Sequence, residues 1–180
     1  MGRPKQLLPW NGRTLLRHAC EVALETSCRP VIVVLGCEAD ACALELKGLD
    51  VIPVINAQWP KGMGTSVATG VAALEKNAPD ATGVLLMLVD QPTVTSSLLQ
   101  SLATRWSPPE VSIVATKYPE GGGVPALFDR AHFADLLALD ADRGARSIIA
   151  REKSRVALFD PRADLIDLDT PQAYRDYATS

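Results

Sequence analysis

An α/β fold with a mostly parallel sheet is predicted by three features of the 180-residue sequence. Short apolar runs rich in branched residues alternate with segments of helical period. The runs are continuously apolar, which implies a sheet buried on both faces. The breaks between them are brief and carry Gly, Pro or Asp, so nothing divides the chain into separate units and a single domain spanning residues 1–180 is expected.

Val31–Leu35, closed by Gly36, is the first strand-like run, and Val51–Ile55 is the second. Val84–Val89, closed by Asp90, is the most apolar, and Val111–Ala115 follows. Between them, Leu15, Leu16, Ala19, Val22 and Ala23 fall on one helical face. So do Val67, Val71 and Leu74, then Leu98, Leu99 and Leu102, then Phe133, Leu136 and Leu137. Ile148-Ile149 marks a fifth helix. Thr170-Pro171 reads as the N-cap and first position of a sixth. Pro108-Pro109 and Gly121–Gly123 read as turns. Nothing before Leu15 reads as a buried strand, although a doubly wound sheet ordinarily opens with one, followed by a Gly-rich loop.

Composition excludes several classes. Lys plus Arg number 18 and Asp plus Glu 21, a formal charge of −3. That balance does not suit indiscriminate nucleic-acid binding, which needs a basic face. No apolar run approaches the roughly 20 residues that span a bilayer, and Met1–Lys5 has no apolar signal core behind it. A cytoplasmic protein is expected. No two of Cys20, Cys28, Cys37 and Cys42 have zinc-ribbon spacing, so reduced structural thiols are expected. His18 and His132 are read as helix residues without acidic or cysteine partners at ligand spacing.

In an open α/β sheet, ligands bind beyond the carboxyl ends of the strands. Asp90, in Val89-Asp90-Gln91-Pro92, stands at such an end and offers hard oxygens suited to Mg²⁺ carrying phosphates, although a strand-ending Asp also serves turns. Gly62-Met63-Gly64-Thr65-Ser66 precedes a helix, where glycines admit a ligand and Thr65 or Ser66 can cap. Lys5 is a cation in a loop that could neutralise charge in phosphoryl transfer. Asp167 and Asp169 share one face of an extended segment. Asp169 could complete a Mg²⁺ site with Asp90, or could cap the last helix. Arg143 and Arg146 offer guanidinium groups at a helix start, suited to phosphate or to surface ion pairs.

Taken in order, these segments resemble the MobA-like nucleotidyltransferases, in particular the molybdenum cofactor cytidylyltransferases. Met1-Gly2-Arg3-Pro4-Lys5-Gln6-Leu7-Leu8 resembles the end of the family's Leu-Ala-Ala-Gly … Arg-Met-Gly-x-Pro-Lys signature. Asn56 with Gly62–Ser66, Asp90-Gln91-Pro92, Gly123-Val124-Pro125-Ala126-Leu127-Phe128, Asp142-Arg143-Gly144-Ala145-Arg146 and Asp167-Leu168-Asp169-Thr170-Pro171 resemble its later motifs. Ala141 departs from the usual glycine.

The resemblance implies a three-layer Rossmann-like nucleotidyltransferase fold that lacks its first strand in this chain, with translation expected to begin upstream of Met1. It implies transfer of CMP from CTP to molybdenum-bearing molybdopterin, with Mg²⁺ on Asp90 and Asp169 and Lys5 beside the transferring phosphoryl. Gly2, Lys5, Gly62, Gly64, Thr65 and Ser66 would bind the nucleotide. Gly123, Pro125, Arg143 and Arg146 would line the acceptor side, and a molybdenum hydroxylase would receive the product. Two other enzyme readings, with GTP or with a different small phosphate, stay open. So does a carrier that binds the molybdenum cofactor without transfer chemistry.

Overall fold

The computed structural model describes residues 4–139, 144–161, 165–168 and 170–178. A two-residue hairpin opens it, β1 (Pro9–Trp10) against β2 (Arg13–Thr14), turned by Asn11 and Gly12, both at positive φ. Then follow α1 (Leu15–Leu24), β3 (Ile32–Leu35), α2 (Ala39–Glu45), β4 (Ile52–Ile55), α3 (Met63–Asn77) and β5 (Gly83–Leu86). The second half holds α4 (Ser96–Arg105), β6 (Ile113–Tyr118), β7 (Gly121–Asp129), α5 (Phe133–Leu137), α6 (Arg146–Arg151), β8 (Val156–Phe159) and α7 (Pro171–Ala178).

Helix starts follow the caps written in the sequence. Thr14 Oγ1 accepts from the Arg17 amide at 3.2 Å, and Thr95 Oγ1 accepts from the Leu98 amide at 3.2 Å. Thr170 Oγ1 accepts from the Ala173 amide at 3.1 Å, as the Thr-Pro pair predicts.

Alternation along β6 builds three layers. Ile113 and Ala115 face Val71, Leu74, Phe133, Leu136, Ile148 and Ile149 of α3, α5 and α6. Val114, between them, faces the opposite way, against Val94, Leu98, Leu99 and Leu102 around α4. Val33 and Leu35 of β3 bury against Leu16 and Cys20 of α1 and Cys42 of α2. The α/β class and the Rossmann-like layering therefore stand as expected.

The sheet is more mixed than the expected mostly parallel one. β3 pairs with β4, and β6 with β8, in parallel. β7 runs antiparallel to both of its neighbours, β5 and β6, in the order β5-β7-β6-β8. β7 is the longest strand, yet its Gly121–Gly123 start reads in sequence as a turn. The glycines are there because neighbours press on the strand. A Cβ on Gly122 would lie 2.7 Å from Ile149 Cγ2, and one on Gly123 would lie 2.8 Å from the Tyr118 ring. β5 ends at Leu86, three residues before the apolar run does, because its ladder partner passes from Ala126 to Pro125, which has no N–H to donate. The hairpin β1–β2, the short strand β8 and helix α2 have no counterpart among the expected elements.

Among the described residues, β3 and β5 each carry a ladder on one edge only. A cavity of about 780 Å³ is lined by every residue from Pro30 to Gly36 and from Asp80 to Val89. Successive residues of a strand point to opposite faces, so a cavity that touches all of them runs along the hydrogen-bonding edge. Among the described residues, the sheet is thus interrupted between β3 and β5.

Candidate active site

Asp90 sits just past β5, in the turn that returns the chain to α4. Its Oδ2 accepts from Lys5 Nζ at 3.2 Å, with both side chains mostly enclosed. Lys5 opens a single 3-10 turn, Lys5–Leu7, held by α1 and α7: the Leu15 amide donates to Leu8 O at 2.9 Å and Tyr174 Oη to Pro9 O at 2.6 Å. α1 also grips the far side of the Asp90 loop, where His18 Nε2 meets Pro92 O at 2.9 Å. A carbonyl only accepts, so His18 carries its proton on Nε2. That bond ties α1 to the Asp90 loop.

Gln91 extends this cluster. Its Nε2 donates to Asp167 Oδ1 at 2.8 Å and to Tyr118 Oη at 3.0 Å, and Tyr118 Oη donates to Val124 O at 2.6 Å. The Leu168 amide donates to Asp90 O at 2.9 Å, and the Ile166 amide to Thr93 Oγ1 at 3.1 Å. Arg146 Cζ lies 5.9 Å from the centre of the Tyr118 ring, whose edge covers Gly123. The buried Pro125 follows a cis peptide bond after Val124. Lys5, Asp90, Gly123, Pro125 and Arg146 therefore gather around one loop end. Burial, the largest cause, pushes the Tyr118 phenol above its usual 10, and the Gln91 bond only partly offsets this. The phenol is protonated at neutral pH and stays a donor to Val124.

A second group forms at the start of α3. Asn56, 3% exposed, donates through Nδ2 to Thr65 Oγ1 at 2.9 Å and to Ser66 Oγ at 3.0 Å. Its Oδ1 accepts from the Gln58 amide at 2.9 Å. The expected capping by Thr65 or Ser66 is corrected here. The N-cap is Gly62, with φ +126, a backbone conformation that favours glycine, and no side chain caps it. Both hydroxyls are taken up by Asn56 instead. Gly64 is buried in the first turn. Gln6, Ser66 and Val89, each beside a motif residue, line the same cavity, which brings the two groups to one region.

Gly2, Arg143 and Asp169 lie outside the described residues. Asp167 is exposed, and Leu168 beside it is fully buried, the alternation of an extended segment. The donor chemistry fits a hard divalent cation. A mostly enclosed carboxylate, that of Asp90, stands beyond a strand's carboxyl end, and the backbone carbonyl of the same residue accepts from the amide of Leu168, the sequence neighbour of Asp169.

The four thiols are free, with Cys20 and Cys42 buried, as the spacing predicts. His132 differs from expectation. Asp135, three residues on, approaches its Nδ1 at 4.0 Å, and Glu152 joins them. Arg151 bridges both carboxylates, so an arginine offsets part of the cluster's negative charge. Gln91 and Tyr118 join the hydrogen-bonded group at Asp90 and are absent from the expected set. Gln91 adjoins Asp90, and Tyr118 closes a strand, which is the available signal for each.

A MobA-like NTP transferase domain matches residues 1–156. The chain belongs to this family. Nicotine blue oxidoreductase of Paenarthrobacter nicotinovorans is 32% identical over 185 residues, covering 97% of this chain and 89% of that protein. The crystal structure of Rv0371c from Mycobacterium tuberculosis H37Rv superimposes with a TM-score of 0.80 at 31% identity, covering 100% of this chain and 92% of that one. The same protein complexed with manganese gives 0.78 at 32%, with 99% and 94% covered. Molybdopterin-guanine dinucleotide biosynthesis protein A from Archaeoglobus fulgidus shares the fold, with a TM-score of 0.70 at 14% identity over 99% of this chain and 90% of that one. Among the described residues, no helix is long and apolar enough to cross a membrane.

Proposed function

We propose that the protein transfers CMP from CTP to the terminal phosphate of molybdenum-bearing molybdopterin, releasing pyrophosphate. The observation that carries this reading is the Lys5–Asp90 pair at a strand's carboxyl end, joined through Gln91 and Tyr118 to the Gly123–Pro125 segment. An oxygen of the acceptor phosphate attacks the α-phosphorus in line. The new P–O bond forms as the bond to the β-phosphate oxygen breaks, and the electron pair leaves with pyrophosphate. The acceptor is already ionised near neutral pH, so no general base is required. Asp90 and Asp169 hold Mg²⁺, which supplies positive charge against the phosphates. Lys5 exchanges its contact with Asp90 for the transferring phosphoryl. Gly2 and Gly62 admit the phosphates, Ser66 supports the helix start, and the backbone at Gly64 and Thr65 reads the cytosine edge. Gly123, Pro125, Arg143 and Arg146 hold the acceptor.

The test is a panel of CTP, GTP, ATP and UTP with Mg²⁺ and molybdenum-loaded molybdopterin, with products identified by mass spectrometry. A cytosine dinucleotide formed from CTP alone supports the reading. A guanine product moves the assignment to GTP. Acceptor binding with no product from any nucleotide replaces it with the carrier.

A second reading is favoured by one finding, the oxidoreductase name of a relative 32% identical over nearly the whole chain. Under it the same cleft serves electron transfer. Oxidation of a nicotinamide nucleotide coupled to a dye, without pyrophosphate release, would decide for it.

A further inference from the structure

We propose that Gln91 and Tyr118 are positioning residues that fix the separation between the Asp90 loop and the acceptor segment Gly123–Pro125. This rests on the nucleotidyl-transfer reading above and deepens it by naming what holds its two halves in register. Neither residue touches a reacting atom in that scheme.

A phenol has one proton, and Tyr118 Oη lies 2.6 Å from Val124 O, which can only accept. The phenol proton is therefore committed to Val124, and the bond to Gln91 must run the other way, from Nε2 into the phenol oxygen at 3.0 Å. The second Nε2 proton goes to Asp167 Oδ1 at 2.8 Å. Every donor in the relay Asp167–Gln91–Tyr118–Val124 thus has one possible direction, and swapping the Gln91 amide's O and N would break two bonds at once. Gln91 is 4% exposed, and its Oε1 has no partner among the described residues. The side chain is held by its nitrogen alone, between two fixed acceptors.

The relay also spans separate elements. Gln91 lies beyond β5, Tyr118 ends β6, Val124 lies within β7, and Asp167 stands in the segment before α7. Glycine at 123 lets the Tyr118 ring lie directly on the acceptor segment, and the Arg146 guanidinium faces the same ring. One side chain therefore contacts the loop that carries Asp90, the backbone of the acceptor segment and the arginine of the next motif. A reaction that needs an acceptor phosphate in line with an α-phosphorus is sensitive to that separation: a displacement of about 1 Å can cost about 10²-fold in rate.

The test uses full-length Tyr118→Phe, Gln91→Leu and the double variant. Tyr118→Phe removes one oxygen and no ring contact. The expected result is a fall in kcat of about 10²-fold, with the KM for CTP within about twofold and the circular dichroism spectrum of the parent protein retained. The double variant should be no slower than the slower single one, because the residues act through one relay. Hydrogen–deuterium exchange supplies a readout independent of turnover. Either single variant should raise exchange both at 119–125 and at 165–168, leaving β3 and β4 unchanged. Exchange that rises only beside the substituted residue overturns the relay. Unchanged kcat with intact binding overturns its role in the reaction. A parent protein that transfers no nucleotide defeats the functional reading, while the exchange experiment still decides whether the segments are coupled.

Discussion

Asp90 and Lys5 hold opposite charges 3.2 Å apart in a mostly enclosed corner, a contact that arriving phosphates and a cation would part. Asp90→Ala is expected to lower kcat by at least about 10²-fold with an unchanged circular dichroism spectrum and melting temperature; near-normal turnover would remove Asp90 from the metal role. Asn56→Ala leaves the Gln58 amide and two hydroxyls short of a partner. It should cost about 1–3 kcal/mol in urea unfolding and raise the KM for CTP more than that for the acceptor. Asp90 was legible because it ends the most apolar run. The relay through Gln91 and Tyr118 was not, because nothing in local sequence says that residues 27 positions apart share a hydrogen bond.

At the scale of elements, helices α1, α3 and α4 were written plainly in their 3.6-residue period, and α1 and α4 also carry threonine caps. Strand β7 was hidden because its glycines serve tertiary contacts, with Ile149 and Tyr118, that a turn signal cannot distinguish. Buried helix positions have their own pH signature. Burial pushes the Cys20 thiol on α1 from 9.0 up to about 11, with Glu21 adding to the rise. Below pH 9 both folded and unfolded chains keep the proton, and stability is independent of this group. Between 9 and 11 only the unfolded chain releases it, so stability falls by about 1.4 kcal/mol per pH unit. Cys20→Ala should flatten that part of an unfolding-against-pH profile. Equal slopes in both proteins would show that Cys20 does not titrate in this way.

On the scale of the whole molecule, the sheet is two pieces, β3-β4 and β5-β7-β6-β8, facing each other across the cavity. Periodicity registered only that nothing before Leu15 reads as a buried strand, and the structure places the short hairpin β1–β2 there. An apolar strand of about five residues, joined to Met1 through a glycine-bearing loop, would pair with both open edges. Satisfying even four backbone groups at about 1 kcal/mol each should raise the melting temperature by about 8–16 °C, and an unchanged melting temperature would mean that the slot does not accept a strand. The central claim is nucleotidyl transfer at the Asp90 cleft. Its most direct test is continuous pyrophosphate release with CTP, Mg²⁺ and molybdenum-loaded molybdopterin, run side by side on the parent protein and Asp90→Ala. The account predicts release that needs all three components and is lost in the variant; release that persists undiminished in Asp90→Ala would contradict it.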